Sequence, residues 1–180
     1  MVSFSVNAQI SNQDAHNVVI DIPEVALLDL EAEGNDGTAF TLAPTAPTEA
    51  GEALNFENAN DSRVWINYSS IIGSASEPSR NVAVQITSGT VPAGTELSVV
   101  AASAVNTGDG TMGSPTAEVV LSSTAQNIIT GIGSAYTGTG YDKGHNLFYA
   151  LGLSDAINSY SQLDFDDSDT VVITYTLSDN

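Results

Sequence analysis

The chain has 180 residues and is strongly acidic, with 22 Asp and Glu against 3 Lys and Arg and a formal net charge of −19. Three scattered cations cannot neutralise a run of phosphates, which argues against nucleic acid as a partner. The chain contains no cysteine, which excludes disulfides, thiolate chemistry and cysteine-ligated metal centres. It also lacks the run of about 20 apolar residues that a membrane-spanning helix needs, so no membrane insertion is expected. Its length predicts a single domain, 1–180.

The first predicted element is a β-strand at residues 2–10. Apolar side chains stand at every second position there, which is the period of a strand with one buried face. These side chains belong to Val2, Phe4, Val6, Ala8 and Ile10. A strand at a chain end can pair within its own domain or be lent to a neighbouring copy. Both alternatives stay open, and residues 2–10 are a candidate donor or edge strand.

Two further strands are predicted at residues 16–22 and 24–30, separated at Pro23 because proline cannot donate to a ladder. Residues 31–53 are rich in Gly, Pro, Asn and Asp, a composition that is typical of a loop. Only residues 39–42 within that loop have a strand-like pattern.

The middle of the chain contains the clearest strand patterns. Residues 63–69 are β-branched and aromatic and include Trp65, which we expect to lie in the core. Residues 81–87 and 95–101 flank a Val-Pro-Ala-Gly turn at 91–94, and this pattern predicts a β-hairpin.

The last third predicts more strands and little helix. The strands are predicted at residues 117–121, 126–130, 146–151 and 170–177. The Gly- and Thr-rich residues 131–144 predict an irregular connection, and residues 156–163 allow one helical turn. About ten strands with regular turn signals predict an all-β fold, a two-sheet antiparallel Greek-key sandwich.

An acidic cluster precedes the last predicted strand. Its carboxylates belong to Asp164, Asp166, Asp167 and Asp169. Oxygen ligands at this density suit calcium, the only cofactor that the sequence suggests. The pattern lacks the central glycine and terminal glutamate of an EF-hand. The alternative is a solvated turn whose Asp side chains accept backbone N–H groups.

Catalytic patterns are not found in the sequence. His16 and His145 are the only imidazoles, and no Gly-x-Ser-x-Gly elbow accompanies them. We expect both histidines to be exposed in polar turns, and we predict no catalytic or cofactor-binding residue and no enzyme. Surface glycans are a candidate ligand through the loop-like tyrosines Tyr136, Tyr141 and Tyr160.

The layout of the chain resembles secreted bacterial pilin-like β-sandwich subunits, in the loose sense that includes spore-coat-U-like and chaperone–usher proteins. The resemblance rests on the alternating residues 2–10 and on the closing strand 171–177, although the cysteine pair of many chaperone–usher subunits is missing. It implies an extracellular structural subunit without an active site, which assembles with copies of itself into a filament or surface layer by β-strand addition. No basic start with an apolar signal core follows Met1, so we expect any export signal to have been removed. The alternative function is a calcium- or carbohydrate-binding adhesive module.

Overall fold

The computed structural model describes residues 1–2, 13–34, 37–73, 77–105 and 108–180. Within these ranges the chain forms nine strands, one 3-10 turn at Tyr160–Gln162 and no α-helix, which confirms the predicted all-β class. The strands are β1 (Val25–Ala32), β2 (Asn60–Ile71), β3 (Arg80–Ser88), β4 (Thr95–Ala101), β5 (Asp109–Pro115), β6 (Val119–Val120), β7 (Gln126–Tyr136), β8 (His145–Leu153) and β9 (Val172–Asp179). Among these residues no helix has the length and apolar character needed to cross a membrane.

All nine strands belong to one antiparallel hydrogen-bonded sheet. Its order is β6-β4-β8-β2-β7-β3-β9, with β1 on β2 and β5 on β7. Strand β2 is the junction, because its first half pairs with β8 and its residues Ser69 and Ser70 pair with the end of β7. Strand β1 lines the opposite edge of β2. In the described ranges, β1 and β9 are each paired along one edge only.

The sheet is folded over on itself. The hydroxyl groups of Tyr149 on β8 and Tyr175 on β9 lie 2.7 Å apart, although three strands separate β8 from β9 in the sheet order. In a flat sheet they would lie far apart, because Tyr149 pairs opposite Asp61 near the start of β2, whereas Tyr175 lies across β3 from the part of β7 that runs beyond the end of β2. The two halves of the sheet therefore face each other as in a sandwich. One core of buried side chains lies between them, including Ile66, Val99 and Ile132.

Two predicted strands do not form. Residues 16–22 lie outside any strand and are exposed, and β1 begins only after Pro23, which has no N–H for a ladder. Residues 39–42 are also outside any strand, yet Phe40 and Leu42 pack on the core. The alternation at residues 39–42 thus reflects side-chain packing without backbone pairing.

The predicted hairpin of β3 and β4 is wrong. The turn itself forms, with the N–H of Thr95 donating to the carbonyl of Pro92 at 3.1 Å. Gly94 has φ +77, and a Cβ there would lie 2.5 Å from the carbonyl oxygen of Ser159. However, β3 pairs with β7 and β9, while β4 pairs with β6 and β8. A turn signal predicts that the chain reverses, but it does not say which strands then pair.

The predicted irregular connection at residues 131–144 is shorter than expected. Strand β7 continues to Tyr136 through a register shift opposite Arg80 and Val82. Gly131 lies in this bulge with φ +72 and donates its N–H to the Asn81 side chain at 3.1 Å. Glycine at a bulge allows a strand to continue where composition alone indicates a loop.

Candidate functional site

The predicted donor strand at residues 2–10 falls almost entirely outside the described residues. Val2 is described and is exposed. Phe4, Val6, Ala8 and Ile10 lie outside the described ranges. The assignment of residues 2–10 as a donor or edge strand therefore stays a prediction.

An exposed apolar segment immediately precedes β1. We call residues 13–24 the arm; every residue in it is exposed and none belongs to a strand. Val18, Val19, Ile20 and Ile22 retain between 69% and 92% of their full exposure. Large apolar side chains this close together and this exposed are a marker of an interaction surface.

Arg80 anchors the root of the arm. Its side chain is only 1% exposed and forms ion pairs with Glu24, Glu77 and Asp179. The distances are 3.3 Å to Glu77 and 2.7 Å to Asp179. The same guanidinium also donates to the carbonyls of Val25 and Ile71. One buried cation thus joins the last residue of the arm to the ends of β1, β2, β3 and β9.

The neighbouring carboxylates stabilise the charged form of Arg80. Burial opposes the charged guanidinium, but the hydrogen bond and charge of Asp179, with the charges of Glu24 and Glu77, raise the pKa of Arg80 above its ordinary value. Oxygens of these three carboxylates lie within 4.8 Å of one another, a spacing that could suit a metal ion. The guanidinium supplies the positive charge at this cluster, so the geometry is explained without a metal.

An apolar cleft lies toward the other end of the folded sheet. Its volume is about 830 Å³. Core side chains line it, namely Leu30, Val64, Leu97, Tyr149 and Tyr175. Loop residues also line it, within residues 38–56, residues 91–93 and the acidic segment 163–171. Among the latter, Phe165 is 96% exposed, which places a large apolar side chain at the rim. We call this feature the apolar cleft.

The predicted calcium ligands hold one margin of the cleft in place. The carboxylate of Asp169 accepts the N–H of Thr90 at 2.7 Å, and that of Asp167 accepts the N–H of Ala93 at 3.2 Å. Asp164 accepts the N–H of Asp166 at 3.0 Å. Hydrogen bonds from the N–H groups of Thr90 and Thr170 lower the pKa of Asp169.

These contacts are the ones expected of Asp side chains that cap backbone groups. The four carboxylates do not form a group of converging oxygens like the one found among the described residues at Arg80. The calcium site stays a prediction.

The two histidines have different environments. His16 is exposed on the arm, as expected, whereas His145 is fully buried, so the expectation of an exposed turn is wrong for it. Its Nδ1 donates to the carbonyl of Ala102 at 2.8 Å, and its Nε2 lies 3.0 Å from the Tyr68 hydroxyl. Burial lowers the pKa of His145 and raises that of Tyr68. Both ring nitrogens are engaged inside the core, where they stabilise the fold.

The candidate glycan-binding tyrosines lie on separate elements. Tyr136 ends β7, and Tyr160 begins the 3-10 turn, where its hydroxyl accepts the N–H of Leu54 at 3.3 Å. Tyr141 packs edge-on against Trp65 with ring centroids 6.0 Å apart. Trp65 is half-buried and outside the core cluster, which corrects its predicted core position. Glycan binding stays a prediction.

Comparison of the chain with models of protein families, with curated proteins and with solved structures found no match. The resemblance to pilin-like subunits therefore stays a prediction.

Proposed function

We propose that this protein is a non-enzymatic extracellular structural subunit that self-assembles by β-strand addition. The observation that carries the proposal is the arm, which exposes four large apolar side chains directly before a strand of the sheet. In β-strand addition, main-chain hydrogen bonds supply affinity and alternate side chains fill pockets. The arm offers both kinds of group, and residues 2–10 are a second candidate donor segment.

The alternation within the arm predicts which side chains would be buried. When residues 18–22 pair as a strand, Val18, Ile20 and Ile22 share one face and Val19 lies on the other. Full burial of a Val or Ile side chain contributes about 1.5–3 kcal/mol. Three such side chains therefore contribute roughly 4.5–9 kcal/mol before the ordering cost of the arm is subtracted.

The high negative charge acts against assembly. Subunits that each have a formal charge of −19 repel one another, and salt screens this repulsion over about 10 Å at 0.1 M. Assembly driven by apolar burial should therefore strengthen as salt is raised. Assembly held by ionic contacts should weaken instead.

Light scattering of the full chain tests the proposal. The wild type should form species larger than a monomer at high concentration, and V18S/I20S/I22S should weaken this association by about 1,000-fold or more. The matched control is V19S, which removes an equally exposed side chain from the other face and should change association by less than about tenfold. All four positions are exposed, so thermal melts should show that each variant remains folded. A wild type that stays monomeric at every concentration and salt overturns the proposal.

A further inference from the structure

We infer that the apolar cleft is the acceptor for the arm of a second copy, so that subunits join head to tail. This inference rests on the proposed function, because it names the surface that the arm occupies. Two observations support the inference: the positions of the arm and the cleft on the molecule, and the apolar side chains at the cleft rim.

The arm and the cleft lie toward opposite ends of the strands. The arm ends at Glu24, which is fixed to Arg80 together with Asp179, the last residue of β9. The cleft is lined by Val172, the first residue of β9, and by Leu30 near the end of β1. The seven residue steps from Val172 to Asp179 span roughly 23 Å. A subunit therefore presents its arm at one end and its cleft nearer the other.

The cleft offers apolar surface to an incoming strand, with the aspartates Asp164, Asp167 and Asp169 along one margin. Its lining includes core side chains of the folded sheet, and Phe165 and Val172 add exposed apolar surface. Strand β9 contributes Val172, Ile173 and Tyr175 to the lining. In the described ranges β9 pairs with β3 alone, so its outer edge can form ladder hydrogen bonds with an incoming strand. We assign the arm to this edge, with Val18, Ile20 and Ile22 turned into the cleft.

A contact between two different surfaces has a further consequence. When one patch on each subunit binds a different patch on the next, the assembly continues as a filament unless the rotation closes a ring. The occupant is a second copy because each chain has both the apolar arm and the apolar cleft. Insertion of the arm into the cleft of its own chain would instead produce monomers.

Complementation between two variants tests the inference. The donor variant is V18S/I20S/I22S, and the acceptor variant is F165S/V172S. Each alone should lose assembly, the acceptor variant by about tenfold or more. An equimolar mixture should form a dimer that grows no further, because only one arm and one cleft remain intact. The matched control is I157S, since Ile157 is 87% exposed but does not line the cleft; it should change assembly by less than about twofold.

Cross-linking provides a second measurement that does not depend on loss of assembly. Because the chain has no cysteine, an introduced cysteine can form a disulfide only with another introduced cysteine. A disulfide between two variants therefore reports the contact between those two positions. A mixture of I20C and F165C should form a covalent dimer under oxidising conditions, whereas I20C with I157C should not.

The outcomes separate the two claims. Loss of assembly in the donor variant, combined with unchanged assembly in F165S/V172S and no I20C–F165C dimer, overturns the cleft assignment while the proposed function stands. A monomeric wild type in which I20C and F165C of the same chain cross-link overturns head-to-tail joining and the proposed function together.

Discussion

Replacing the buried cation at the root of the arm should strongly destabilise the fold. In R80M the aliphatic volume is retained, but the donors to the carbonyls of Val25 and Ile71 are lost, as are three ion pairs. Removing one member of a buried ion-pair network costs about 3–5 kcal/mol. The carboxylates of the network are 30–61% exposed and can turn to water, which places the expected loss near the lower limit.

Urea unfolding followed by circular dichroism measures this loss as a change in the free energy of unfolding. The matched control is R63M, because Arg63 pairs with Asp61 but has 41% of its side chain exposed. A surface pair of this kind contributes about 0–1 kcal/mol. If R80M and R63M lose the same stability, the reasoning that Arg80 joins the strand ends is refuted.

Three further predictions concern the core and the acidic loop. Burial lowers the pKa of His145 below its ordinary value of 6.5, so the unfolded chain binds this proton more readily than the folded chain. The contribution of His145 to stability is therefore complete above pH 6.5. Below pH 6.5 the free energy of unfolding should fall by at most about 1.4 kcal/mol per pH unit. In H145Q, urea unfolding at a series of pH values should lack this fall in the free energy of unfolding. If H145Q shows the same pH dependence as the wild type, His145 is not its source. Y149F should cost about 1–3 kcal/mol, because it leaves the buried hydroxyl of Tyr175 without its partner, and Y149F/Y175F should cost less than the sum of the single variants; additive costs in urea unfolding would count against the pair. If the predicted calcium site exists, millimolar calcium should raise the melting temperature of the wild type more than that of D167N, and equal shifts would argue against it.

Sequence patterns predicted most of the described strands, although not β5, and they did not indicate the buried polar side chains Arg80 and His145. With the observed strand bounds, the alternation of buried and exposed positions along a strand indicates that the side chains of Arg80 and His145 lie in the core. Arg80 shares the parity of the buried Val82 and Val84, and His145 shares that of Leu147. Arg80 directly precedes the predicted strand 81–87, and the polar neighbours of His145 favour an exposed position instead. The partners that satisfy both are distant in sequence, so no local pattern indicates them.

The candidate assembly surfaces were predictable to different degrees. The apolar pattern of residues 16–22 predicts a strand, but such a pattern does not indicate whether the segment finds a partner within its own chain. The apolar cleft has no sequence signal, because five strands and three loops contribute to its lining. Its rim residue Phe165 lies within the acidic cluster that suggested calcium.

The strand order has a consequence for how the chain reaches its fold. Val82 pairs with Leu177, Val99 with Tyr149, and Leu30 with Ile66, so most ladders join residues far apart in sequence. Long loops must close before such ladders form, and all-β proteins of this kind fold over milliseconds to seconds. During that interval unpaired strand edges are exposed to neighbouring chains. Refolding at low protein concentration should therefore yield more native protein than refolding at high concentration, whatever the finished subunit does afterwards.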